Sequence, residues 1–166
     1  MKALVVYESF WGNTAAVARA IAEGIGPGAE AVPTSAATPE RVAGADLLVA
    51  GAPVIAFGLS REGSRDGIAG TDDGGAHVPD VSEPPLRSWL DALDPRPGRA
   101  AAFETRIWWS PRGAIGDIEH RFERAGYRRA SEAHRFVVEG TYGPLKEGEL
   151  ERARAWGEEL REAVAA

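Results

Sequence analysis

Cysteine is absent from the chain, which excludes disulfides and thiolate chemistry. Lysine is nearly absent: Lys2 and Lys146 are the only two, and arginine carries the rest of the positive charge. That bias reads as base composition of the source genome. No apolar run approaches the roughly 20 residues that a spanning helix needs. No signal-type segment stands before the first strand, which begins almost at Met1. A cytoplasmic protein away from membranes is expected. The net charge of -6 argues against a general nucleic-acid binder. Two nucleotide fingerprints are also lacking. Without G-x-x-x-x-G-K-[ST] there is no triphosphatase loop, and without G-x-G-x-x-G a dinucleotide fold is disfavoured. No metal site is expected, because Asp72, Asp73 and His77 stand in a glycine-rich stretch without a partner His or Cys.

What the chain does have is Ser9-Phe10-Trp11-Gly12-Asn13-Thr14. Ahead of it runs Ala3-Leu4-Val5-Val6-Tyr7, an apolar stretch rich in strand formers. Behind it, Val17, Ala18, Ile21, Ala22 and Ile25 share one helical stripe. A small, polar and aromatic turn therefore joins a buried strand to a helix. Such a turn aims backbone N–H groups outward at the positive end of the helix dipole, and Ser9, Asn13 and Thr14 add side-chain donors. With no Lys or Arg inside the loop, the pattern suits a phosphate monoester held by neutral donors.

At 166 residues a single domain covering the whole chain is expected. Strand and helix patterns then alternate about five times. A weak second strand is expected at Ala29 to Val32, then a short helix capped by Thr38 with Pro39 at its first position. Ala45 to Ala50 is a second buried strand, broken by Gly51-Ala52-Pro53-Val54-Ile55-Ala56-Phe57-Gly58. From 59 to 82 periodicity is lost among many glycines, and a long mobile loop is expected. Leu86, Trp89, Leu90 and Leu93 mark a packed helix. Ala100 to Phe103 is a strand that Glu104 to Trp109 leaves, and Ile115, Ile118 and Phe122 mark the next helix. Tyr127 to Ala130 extends briefly, Phe136 to Val138 is the last strand, and Leu150, Ala153, Leu160 and Val164 line a final helix. The alternation predicts an α/β doubly wound sheet. Ligands in such sheets bind beyond the C-terminal strand ends. Three loops would meet there: Ser9 to Thr14, Pro53 to Gly58, and Thr105 to Trp109.

The first loop and its flanks resemble the flavodoxin signature. That pattern runs aliphatic, aliphatic, aromatic, any, Ser/Thr, two free, small, any, Thr, three free, Ala, two free, aliphatic. Here Val5, Val6, Tyr7, Ser9, Gly12, Thr14, Ala18 and Ile21 fill every specified position. The motif spans about a tenth of the chain. The resemblance implies a flavodoxin-like three-layer sandwich with a five-stranded parallel sheet in the order 2-1-3-4-5. It implies non-covalent FMN, electron transfer between a reductase and an acceptor protein, and no catalytic residue.

By the same resemblance, Ser9, Phe10, Trp11, Gly12, Asn13 and Thr14 hold the phosphate. Pro53, Val54, Ile55, Ala56, Phe57 and Gly58 cover one face of the ring. Thr105, Arg106, Trp108 and Trp109 border the other; because two adjacent exposed Trp are costly, one is expected to pack under the following helix while its neighbour meets the ligand. Two positions depart from the family. Trp11 stands where many flavodoxins carry a second hydroxyl. Arg106 and Arg112 stand where acidic neighbours are usual, which implies a more easily reduced ring. Two alternatives stay open: an NAD(P)H-dependent FMN quinone or nitro-compound reductase, and a flavin-free binding module.

Overall fold

The computed structural model describes residues 1–71 and 73–166; Asp72, weighed above as a metal ligand, lies outside them. Two strands anchor the structure. β1 (Ala3–Tyr7) and β3 (Leu47–Pro53) pair in parallel, with Val5 opposite Val49. Both are apolar on both faces, as strands covered on both sides must be. β2 (Ala29–Pro33) flanks β1, and β4 (Gly98–Ile107) flanks β3. The fifth position is filled by two short strands. β5 (Tyr127–Arg129) pairs with the first residues of β4, and β6 (His134–Val138) pairs with Phe103 to Ile107. The sheet is parallel in the order 2-1-3-4-5, as the resemblance implied.

Helices cover both faces. Val5, Val49 and Phe103 pack with Val17 and Ile21 of α1 (Asn13–Ile25) and with Trp156 and Leu160 of α6 (Glu149–Ala165). Leu4, Val6, Leu48 and Ala102 face the other way. They pack with Val42 of α2 (Pro39–Ala43) and Leu86 and Leu90 of α4 (Leu86–Asp91). Ile118 and Phe122 of α5 (Ile115–Arg124) complete that layer. Thr38 caps α2 as expected, its hydroxyl accepting from the Arg41 N–H. Among the described residues no helix is long and apolar enough to cross a membrane.

Two elements differ from the expectation. The stretch read as loop from 59 to 82 contains α3 (Glu62–Ala69). This helix buries no residue, so it carries no apolar stripe for periodicity to find. The fourth strand does not end at Phe103. Glu104, Thr105, Arg106 and Ile107 continue it, and the Glu104 side chain is fully buried. An acidic residue reads as a strand exit. Here its carboxylate is satisfied internally, by the Ala114 and Ile115 N–H groups at the start of α5.

Candidate functional site

Because the strands are parallel, their C-terminal ends share one edge of the sheet. A cleft there is lined by Ser9, Phe10, Trp11, Asn13 and Thr14 after β1, and by Pro53, Val54 and Ile55 at the end of β3. Thr105, Arg106 and Ile107 of β4 and Val138, Gly140 and Thr141 at the end of β6 close it. The structure thus brings together ten of the residues picked out by sequence.

The turn after β1 is built to leave donors free. Gly12 sits at φ +93°, a left-handed conformation that suits glycine, and serves as the N-cap of α1. Its N–H donates to Ser9 Oγ at 3.1 Å. No side chain caps α1 and no acidic residue stands in its first turn, so the early N–H groups have no intrahelical partner. Trp11 Nε1 is buried and lacks a hydrogen-bond partner among the described residues. Thr14 and Thr105 are both buried, with hydroxyl oxygens 2.7 Å apart. Whichever donates, the other keeps a hydrogen to give. Asn13 turns elsewhere, its Nδ2 donating to the Tyr142 carbonyl at 3.0 Å.

The second loop folds back on itself. Ile55 and Gly58 exchange two backbone hydrogen bonds of 2.9 and 3.1 Å. Between them Ala56 (φ +48°) and Phe57 (φ +68°) are both left-handed, which costs on the order of 1–2 kcal/mol per non-glycine residue. Ala56, Phe57 and Gly58 form the tip and do not line the cleft; Phe57 is 50% exposed.

The third loop departs most from expectation. Arg106 lines the cleft, but its Nη1 lies 3.2 Å from Glu104 Oε1 and its Nη2 donates to the Ser110 carbonyl. Arg135 lies 3.3 Å from the same Glu104 oxygen. One buried carboxylate is thus shared by two guanidiniums, and its single negative charge offsets only one of them. Trp108 and Trp109 are 79% and 57% exposed and neither lines the cleft, so the Trp expected under the next helix is not there. The Ser110 N–H closes a tight turn on the Ile107 carbonyl. Both indoles project from that turn, and Ser110 is the residue turned inward.

Sequence reasoning missed the contribution of the β6 end, since only three loops were followed. A signal was present: Thr141-Tyr142-Gly143-Pro144 follows a parallel strand, so it had to emerge at the same edge. Tyr142 supports the site, its ring 5.1 Å from that of Trp11 at 75°. The stretch from 73 to 83 also lies against this loop, with the Asp80 N–H donating to the Phe10 carbonyl at 2.8 Å. Bonds from the Ser82 hydroxyl and N–H hold the Asp80 carboxyl below its ordinary range. His77 Nδ1 stands 2.6 Å from Asp73 Oδ2, and hydrogen bonds from His77 likewise lower the Asp73 pKa.

No protein-family model and no curated protein matches this sequence. Solved structures do match over its full length. A flavodoxin from the domain Archaea superposes with a TM-score of 0.71 at 20% identity, covering 100% of both chains. The fold is that of the flavodoxins. Flavodoxin 2 from Bacillus cereus gives a TM-score of 0.67 at 15% identity over 98% of this chain and 99% of its own. A short-chain flavodoxin associated with a non-canonical PDU bacterial microcompartment gives 0.68 at 17% over 99% of each. At such identities the likeness to these flavodoxins is one of fold.

Proposed function

We propose that this chain binds FMN non-covalently in the cleft and works as a cytoplasmic electron carrier between a reductase and an acceptor protein. The observation that carries the reading is the donor set at the start of α1. The turn supplies an uncapped helix N-terminus, an unpaired Trp11 Nε1–H and a spare hydroxyl hydrogen from the Thr14–Thr105 pair. All are neutral donors at the positive end of a dipole, which fits a phosphate monoester. Trp11 brings an N–H, buried without a partner among the described residues, where the family usually has a hydroxyl.

FMN, once bound, supplies the electron uptake and release. The protein's part is to hold and shield. The N–H groups of the first turn of α1, with Trp11 and Thr14, hold the phosphate. Pro53, Val54, Ile55 and Ile107 offer an apolar wall to a flat ring, while Phe57, Trp108 and Trp109 stand exposed on the two adjoining loops outside the cleft. Arg106 shares the single Glu104 carboxylate with Arg135, so this side of the cleft keeps a positive charge.

The test is the visible spectrum of the freshly purified protein, then titration of the apo form with FMN and with riboflavin. Flavin bands and at least tenfold tighter binding of FMN are expected. Equal affinity for the two ligands, or none for either, overturns the reading. Steady turnover of NAD(P)H with a quinone by the FMN-loaded protein would identify a reductase instead.

A further inference from the structure

Arg65 sits on α3, the helix the sequence pattern hid, yet it is the most heavily used cation near the site. Its Nη1 lies 2.6 Å from Glu8 Oε2, and its Nη2 donates to the carbonyls of Val81 (3.0 Å) and Glu83 (2.6 Å). The guanidinium stands 5.4 Å from the centroid of the Phe10 ring. Glu8, the residue between β1 and the phosphate loop, is 1% exposed. It also accepts from the Ser60 hydroxyl at 2.8 Å and the Leu86 N–H at 3.3 Å. One guanidinium thus ties the start of the loop to the returning segment at 81–83.

That segment touches the loop again further out. Asp80 bonds the Phe10 carbonyl, and His77 stacks on Tyr142 with ring centroids 4.2 Å apart. Tyr142 meets the Trp11 ring, and Trp11 meets Phe10 at 5.9 Å. Neither Glu8 nor Arg65 lines the cleft. Their charges cancel each other and reach no ligand directly.

A buried ion pair gives little net stability compared with an apolar replacement of the same shape. What it does give is direction, because the planar fork fixes several partners at once. The loop needs that direction. Among the described residues the backbone from Glu8 to Gly12 is held at few points: the Glu8 N–H donates to the Gly51 carbonyl, the Phe10 carbonyl accepts from Asp80, and Gly12 donates to Ser9 Oγ and accepts from the Ala16 N–H. We infer that Arg65, paired with Glu8, is a positioning residue that presets the Phe10–Gly12 backbone so that the first-turn N–H groups of α1 and the Trp11 indole N–H converge on an anion. The inference rests on the anion-holding role proposed for this loop, and names what makes the loop competent.

The test uses the full chain, labelled with nitrogen-15, and inorganic phosphate as the probe. Amide signals of Gly12 to Thr14 and the Trp11 indole signal are followed in wild type, Arg65→Lys, and the double variant Glu8→Gln/Arg65→Met, which leaves no lone buried charge. Core amides at Val5 and Val49 report that each variant is folded. The wild type should show saturable shifts at the loop. The double variant should need at least tenfold more phosphate, and Arg65→Lys about three- to tenfold more, since Lys keeps the charge and loses the fork. FMN binding should fall by the same factors while riboflavin binding changes less than threefold. No phosphate response in the wild type, or a response within twofold in both variants, overturns the role of Arg65. Equal losses for FMN and riboflavin overturn it too, making Arg65 general scaffold. If phosphate responds as expected but the wild type binds no flavin, the FMN reading falls and the role of Arg65 stands.

Discussion

Thr14 shows how a correct residue can carry more than one task. In the sequence it is simply the hydroxyl where the helix begins. In the structure it is 2% exposed and shares a 2.7 Å hydrogen bond with Thr105 on the neighbouring-but-one strand. Removing it should therefore have two effects. A hydrogen bond to a charged phosphate contributes roughly 1.5–3 kcal/mol, so Thr14→Val should weaken FMN by about one to two decades and leave riboflavin nearly unchanged. The same change strands the Thr105 hydroxyl in a buried site, which costs about 1–3 kcal/mol of stability. Calorimetric titration with both ligands, beside a urea melt of the apo protein, separates the two. Thr14→Ser should recover most of both. Equal weakening of FMN and riboflavin would make Thr14 a packing residue. Trp11 and Arg106 were legible as departures from the family pattern, but what they do was not. That depended on the buried indole N–H and on Glu104, whose role a strand-exit reading concealed.

At the scale of elements, legibility followed burial of apolar side chains. β1, β3 and α1 were plain because their patterns are dense and periodic. α3 was invisible because it buries nothing and is fastened by the polar contacts of Arg65 instead. The close approach of α1 and α6 was equally hidden, since glycine in a helix reads as weakness. Here it makes the contact possible. A Cβ on Gly157 would stand 2.3 Å from the Ile21 carbonyl oxygen, and one on Gly24 would stand 2.0 Å from that of Arg154. Those obstacles are backbone, so the helices would have to part. Gly157→Ala should lose about 1–3 kcal/mol through overpacking despite its better helix propensity. For a chain of this size that lowers Tm by roughly 2–4 °C per kcal/mol. A thermal melt that shows no loss, or a gain, would mean the two helices have slack at this contact.

Across the whole molecule, stability should be distributed as unevenly as the apolar contacts. The central strands and α1, α4, α5 and α6 share two hydrophobic clusters. The crossover from β3 to α4 contributes little beyond Leu59 to either, and α3 within it has no buried residue. Local opening is cheapest where burial is least, so this crossover should open well below the global unfolding free energy. The same stretch reads in the sequence as a mobile loop, and it offers trypsin Arg61 and Arg65. The structure separates those two sites. Arg61 is exposed at the start of α3, whereas the Arg65 side chain is 11% exposed and tied to Glu8, Val81 and Glu83. Trypsin should therefore cleave after Arg61 first, with Arg65 cut only once the segment has come loose. The returning part of the crossover lies against Phe10, so a ligand that fixes the loop should also hold this segment down. FMN should slow the Arg61 cut severalfold, and riboflavin, lacking the phosphate, should slow it less. Mass spectrometry of the earliest fragments reads both results. First cuts at Arg19 in α1 or Arg161 in α6 would show that the stability of the sheet and its helices is not distributed in this way.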